Sequence, residues 1–180
     1  MRSGSAYTQH KCRQESRYTS SILRQAATRC IFRETKGNRA KRFNSVEMSK
    51  TTCPITIRFR DTDTMGHVNN AVYLSYFELA RMDYFDKMMN SRWDWTKDGI
   101  ILARNEIDYL APVFLLDKIY VETEVVHVGN SSFTMAYQIF KTSPEGPQCC
   151  TWAKATLVCY DFSVDRKAPV PEAWRRFMTA

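Results

Sequence analysis

The feature that most constrains the fold is one long amphipathic helix pattern placed between a strand pattern and four more strand patterns. Between Asn70 and about Met89, Tyr73, Phe77, Ala80, Tyr84 and Met88 recur at spacings of three or four, while Ser75, Glu78, Asp86 and Lys87 keep another side polar. At about 1.5 Å per residue such a helix is roughly 30 Å long, enough to cross a small sheet. Its apolar stripe has to be covered, and strands are what the rest of the chain offers.

Those strands are legible from alternation. Ile55, Ile57 and Phe59 alternate with Thr56, Arg58 and Arg60, which predicts a half-buried strand running toward the loop that starts at Asp61. After a Trp-rich connection around Trp93 and Trp95, strands are predicted over Gly99 to Leu110, Lys118 to Val128, a third stretch carrying Phe133, Met135, Tyr137 and Ile139, and Gln148 to Phe162. Gly129-Asn130 and Ser143-Pro144-Glu145-Gly146-Pro147 supply the turns. The last four strands are expected to pair as an antiparallel meander. The fold class is therefore α+β, an antiparallel sheet wrapped around one long central helix. A single sheet covered by a single helix leaves an edge and apolar surface open, so self-association is expected.

Charge separates this body from what precedes it. The chain of 180 residues has a net charge of +7, from 26 Lys and Arg and 19 Asp and Glu. Residues 1 to 47 hold 11 basic residues against 3 Glu, leaving 26 − 11 = 15 basic and 19 − 3 = 16 acidic residues, a balance of −1, in the remainder. The basic character is thus a property of an N-terminal extension, and residues 48 to 180 form the folded domain. Ile22, Leu23, Ala26, Ala27, Cys30 and Ile31 would share one face of a helix, as in an organelle transit peptide. The favoured alternative is an over-extended reading frame or disordered tail, with Met48 as the true start. Accordingly the expected location is the cytoplasm, or an organelle matrix if the extension is a transit peptide. Neither nucleic-acid binding by the body nor a membrane span is expected, since no apolar run approaches about 18 residues. The six cysteines, Cys12, Cys30, Cys53, Cys149, Cys150 and Cys159, show neither paired nor C-x-x-C spacing, which argues against a disulfide framework and against a zinc site. No metal and no cofactor are expected.

Reactive side chains concentrate in Asp61-Thr62-Asp63-Thr64-Met65-Gly66-His67-Val68-Asn69-Asn70. Period two, continued through this stretch, points Asp61 and Asp63 to the same side as Ile57 and Phe59. A carboxylate turned inward needs hydrogen bonds or positive potential to offset lost hydration. The helix start supplies both, with unpaired N–H groups and roughly half a positive charge, and Asn69 or Asn70 is suited to cap it. Such an arrangement fits acyl transfer: an N–H near Asn70 can hold the growing negative charge of a carbonyl, a role worth about 3 kcal/mol per donor. Asp63 would attack directly or draw a proton from water. Asp61 is read as a turn residue, and His127, the cysteines and His10 carry no chemistry. Tyr73, Tyr76 and Phe77 could line an acyl groove, but core packing is the commoner fate of aromatics on a helix.

Phe59-Arg60-Asp61-Thr62-Asp63-Thr64-Met65-Gly66-His67-Val68-Asn69-Asn70-Ala71-Val72-Tyr73-Leu74, then Phe77-Glu78-Leu79-Ala80-Arg81, and later Glu106-Ile107-Asp108-Tyr109-Leu110-Ala111-Pro112-Val113, resemble the hot-dog-fold acyl-CoA thioesterases of the 4-hydroxybenzoyl-CoA thioesterase type. The resemblance implies a single hot-dog domain, Asp63 as the catalytic aspartate with support from His67, and a backbone amide at Asn70 polarising the thioester. It further implies substrate contacts at Asn69, Asn70 and Tyr73, and a homodimer or homotetramer with sites built across subunits. The same stretch is similar to plant acyl-carrier-protein thioesterases. Their further catalytic Glu and Cys would fall near Pro112 and Val113, which can do neither job, and this favours an Asp63-centred mechanism. The expected activity is hydrolysis of an acyl-CoA, with an acyl-carrier-protein thioester or a non-catalytic acyl-thioester-binding module as alternatives.

Overall fold

The computed structural model describes residues 50–89, 94–95 and 98–179. The extension over residues 1 to 47 lies outside the described residues, as does Trp93 of the Trp-rich connection. The elements are strand β1 (Thr51–Ile55), a 3-10 turn (Phe59–Asp61), helix α1 (Val72–Met89), strands β2 (Asp98–Tyr109), β3 (Ile119–Val128), β4 (Ser132–Ser143), β5 (Gly146–Asp161) and β6 (Arg166–Lys167), and helix α2 (Glu172–Met178).

The sheet is antiparallel in the order β1-β3-β4-β5-β2, with β6 also on β5. The expected four-strand meander holds for β3, β4 and β5 only. β2 lies beside β5, with Ile107 opposite Ala153, and β1 takes the other edge against β3. The physical reason lies in residues 110–118. This stretch contains Pro112 and is too long for a tight hairpin, while roughly 30 Å of extended chain easily spans the three strand spacings, about 14 Å, that separate β2 from β3. At the β1 edge, Pro54 leaves its missing donor where no ladder needs it.

One face of the sheet and one stripe of α1 make the core. Val121 and Val125 of β3, Phe133, Met135, Tyr137 and Ile139 of β4, and Ala153, Ala155, Leu157 and Cys159 of β5 are buried. Facing them are Tyr73, Tyr76, Phe77, Ala80, Tyr84 and Phe85 of α1, with ring contacts Phe77–Tyr137 at 5.1 Å and Phe85–Phe133 at 6.0 Å. Each large apolar side chain so covered contributes about 1.5–3 kcal/mol of transfer free energy. Ser75, Glu78, Asp86 and Lys87 are exposed, as the helical spacing predicts.

Helix α2 is not foreseen by the sequence reading. It follows Pro171 and places Trp174 and Met178, one turn apart, in the core. Trp174 stands 5.3 Å from the Phe85 ring and 6.1 Å from Trp95, and Phe177 stands 5.8 Å from Tyr84. The Arg175 guanidinium donates to the Gly129 carbonyl at 2.8 Å, and the Val170 amide donates to the Asn130 carbonyl at 2.8 Å, which fixes this segment to the β3–β4 hairpin. It therefore closes the C-terminal half of α1 and leaves the N-terminal half to the loops.

Candidate active site

The path from β1 into α1 departs from simple alternation, and the departure builds the site. The strand ends at Ile55, and the 3-10 turn over Phe59–Asp61 rotates Phe59 outward to 82% exposure while burying Asp61 to 3%. The expectation that Phe59 and Asp61 face the same way is therefore wrong. Asp61 Oδ2 accepts the Arg58 amide at 2.9 Å and the Arg58 Nε at 3.3 Å, closing the turn, so the period-two pattern is cut by a local cap. The same oxygen accepts the Tyr76 hydroxyl at 2.9 Å. Burial pushes the Asp61 carboxyl up, but the Arg58 amide, the Tyr76 hydroxyl and the Arg58 guanidinium together hold it below the usual carboxylate value.

Residues 63 to 67 then form a tight loop. The Asp63 amide donates to the His67 carbonyl at 2.8 Å and the Gly66 amide to the Asp63 carbonyl at 3.0 Å, with Gly66 at φ +81, a conformation that glycine adopts without strain. Asp63 Oδ1 accepts the amides of Met65 at 2.8 Å and His67 at 3.3 Å. Asp63 is thus a turn residue by one oxygen, and its Oδ2 has no hydrogen-bond partner among the described residues. The loop is joined to residues 110–118 by the Val68 amide donating to the Val113 carbonyl at 2.8 Å and by the His67 and Phe114 rings, 5.0 Å apart edge to face.

The helix start follows at once. The Asn69 amide donates to the Asp61 carbonyl at 2.9 Å, and the side-chain oxygens of Asn69 and Asn70 accept the Ala71 amide at 3.0 and 3.1 Å. Both asparagines therefore fix the turn that leads into α1, and among the described residues neither side chain accepts an amide of the helix itself. The Asn70 amide donates to no acceptor among the described residues. Its carbonyl accepts the Tyr109 hydroxyl, from the end of β2, at 3.0 Å.

A cleft of about 420 Å³ opens where these parts meet. Asp63, Met65, His67 and Val68 line it from the loop, Asn70 and Tyr73 from the helix start, and Tyr109, Leu110, Ala111 and Pro112 from the end of β2. Of the residues the sequence nominates, Asp63, His67, Asn70 and Tyr73 meet in this one cleft. Asn69 is outside the lining and orders the turn that enters α1. Tyr73, Tyr76 and Phe77 are all buried in the core, the fate expected of helix aromatics, and Tyr73 in addition borders the cleft. Tyr109, Met65 and Leu110 are site residues that sequence reasoning did not single out. Tyr73 and Tyr109 rings meet edge to face at 5.1 Å, and burial, with smaller effects of Cys150 and Tyr109, pushes the Tyr73 hydroxyl up to about 12. Tyr73 is therefore a neutral hydrogen-bonding group at working pH. No three His, Cys, Asp or Glu side chains among the described residues stand together as a metal site.

A half-buried carboxylate and a helix-start amide line one cleft of mixed polar and apolar walls, and proteins of this build are known. The family model for the thioesterase-like superfamily matches residues 57–178. An uncharacterised protein, YsmA of Bacillus subtilis, is 32% identical over 99 residues, 55% of this chain and 65% of YsmA, so the chain spans just under two thirds of that relative's length. The long-chain acyl-CoA thioesterase FadM of Escherichia coli is 27% identical over 113 residues, 62% of this chain and 84% of FadM. A Thermus thermophilus thioesterase, solved with coenzyme A and zinc, has 36% identity and a TM-score of 0.61, over 71% of this chain and 90% of that one. Built as a hot-dog sheet around α1 and matched from the entry of the Asp63 loop through α2, this chain belongs to the thioesterase-like superfamily.

Proposed function

We propose that this chain hydrolyses acyl-CoA thioesters, with Asp63 as the catalytic carboxylate and the Asn70 amide as the donor to the thioester oxygen. The observation that carries this reading is the shared cleft: a carboxylate with a free oxygen and an N–H with no internal acceptor line the same 420 Å³ of space. Negative charge that develops on the carbonyl oxygen would be met by that amide and by the positive end of α1. Asp63 either attacks the carbonyl carbon and expels the CoA thiolate as the C–S bond breaks, giving a mixed anhydride that water opens, or takes a proton from a water that attacks the carbonyl and expels the same thiolate. Both routes end in free acid and free thiol. His67 supports the loop rather than the charge transfer, since its ring packs on Phe114. Tyr73 and Tyr109 give the acyl entrance an aromatic wall, which suits a fatty or aromatic acyl group. The names of FadM and of the coenzyme A complex support CoA as the carrier.

The same reading includes self-association. The outer edge of β2 has no partner strand among the described residues, and Ile101, Leu102, Tyr109 and Leu110 on and beside it are exposed. A second copy pairing at this edge would cover them and wall the cleft beyond Tyr109. No helix among the described residues is long and apolar enough to cross a membrane.

The test is a thiol-release assay over a panel of acyl-CoA and acyl-carrier-protein substrates, with wild type and Asp63→Asn side by side. Asp63→Asn is expected to lose at least about a hundredfold in kcat while keeping its fold. Undiminished turnover in that variant removes Asp63 from the mechanism.

A further inference from the structure

We propose that Asp61 is a positioning residue for hydrolysis, acting through the buried hydrogen bond it receives from Tyr76. The inference rests on the catalytic reading of Asp63 given above. A turn aspartate needs only its own local amide, and the Arg58 amide, 2.9 Å from Oδ2, already satisfies that role. Asp61 does two further things that a turn does not require. Its Oδ2 accepts the Tyr76 hydroxyl at 2.9 Å, across fifteen residues of sequence and in a buried setting, with Tyr76 only 1% exposed. Its backbone carbonyl accepts the Asn69 amide at 2.9 Å.

These bonds place both reacting groups on one support. Asp63 hangs from Asp61 by two residues of chain, and the Asn70 amide hangs from it by one hydrogen bond and one residue. Tyr76, on the second turn of α1, ties that support to the helix whose positive end serves the reaction. Within the loop itself, the remaining bonds of Asp63, to Met65, Gly66 and His67, hold the loop to itself rather than to α1. Spacing between carboxylate and amide therefore depends on Asp61 as well as on the Asp63–His67 bonds, and a misplacement of about 1 Å is enough to cost a hundredfold in rate. A buried carboxylate is costly without partners, so these bonds are maintained throughout the folded state. Their combined pull keeps the carboxyl below its usual value and so charged while the enzyme works.

Tyr76→Phe removes one hydroxyl and leaves the ring in place. The expected result is a fall of at least tenfold in kcat, KM within twofold of wild type, and a cooperative melt that shows the protein folded. A purely structural role would lower the melting temperature and leave kcat per folded molecule unchanged. That result, kcat within twofold of wild type, overturns the inference. Should Tyr76→Phe fail to fold, Asp61→Asn decides: it keeps an acceptor oxygen but replaces a charge-assisted bond with a weaker neutral one. It is expected to lose threefold or more in kcat at constant KM, and an unchanged kcat sinks the proposal. Full activity in Asp63→Asn, by contrast, brings down the reading of the site and not the role of Asp61 alone.

Discussion

At its N-terminal end α1 is met by hydrogen-bonding groups, Asp61, Asn69, Asn70 and Tyr109, whereas along its second half it is met by rings, Phe133, Trp174, Phe177 and Trp95. The bonds at the N-terminal end are each worth only about 0.5–1.5 kcal/mol net, but each fixes a direction. Contacts in the aromatic half add about 0.5–1.5 kcal/mol per ring pair to a large burial term, with looser demands on angle. The difference separates two tasks along a single helix. Chemistry needs a carboxylate and an amide held at a set distance beside open space, and stability needs volume filled out of water's reach.

Substitutions that move one task without the other sharpen this contrast, and ones that move both break it. The largest effect is expected from Trp174→Ala, which empties the center of the ring cluster and should cost about 3–5 kcal/mol of stability. Urea denaturation measures that loss, and thiol release at low temperature should show kcat of the folded molecules unchanged. A parallel fall in kcat would mean that the two halves of α1 are not independent.

Tyr109→Phe acts at the other end. It removes the hydroxyl that holds the Asn70 carbonyl at 3.0 Å, an exposed bond whose loss should change stability by no more than about 0.5–1 kcal/mol. Turnover should drop by about fivefold, equivalent to roughly 1 kcal/mol in the barrier. Steady-state kinetics and a melting curve on the same preparation check both halves of this prediction.

The smallest effect concerns acid. The folded-state value of Asp61 lies below its usual one, so its ionised form stabilises the fold above the unfolded value, about 3.9, and this contribution is lost as the pH falls through the folded value. Urea midpoints measured at about pH 5 and about pH 3 should therefore fall further for wild type than for Asp61→Asn, the two converging in acid. Parallel curves would deny Asp61 its charged, bonded state.

Much of this was legible in the sequence, for identifiable reasons. The α1 stripe and the alternation in β3, β4 and β5 are local patterns; Asp63 and Asn70 follow from a polar loop running straight into a helix start, His67 and Tyr73 are nominated only by the family resemblance, and all four line the cleft. The end of β1 was not legible. Ile57 and Phe59 continue the alternation, but Asp61 folds back on Arg58 and turns Phe59 out. The place of β2 beside β5 was hidden because pairing is decided by contacts distant in sequence, and this same placement brings Tyr109 to the cleft. Helix α2, seven residues long, has too few turns to show a period, although Pro171 before it and Trp174 and Met178 within it are consistent with its start and its buried face.

The central claim is tested most directly by a crystal structure with an acyl-CoA analogue in which a methylene replaces the thioester sulfur, so that the carbonyl remains but cannot be cleaved. The account predicts the carbonyl oxygen about 2.7–3.1 Å from the Asn70 amide nitrogen. It also predicts an Asp63 oxygen, or one water held by it, about 3–3.5 Å from the carbonyl carbon. A carbonyl bound away from the start of α1, or an Asp63 side chain turned to bulk solvent with the analogue in place, would contradict it.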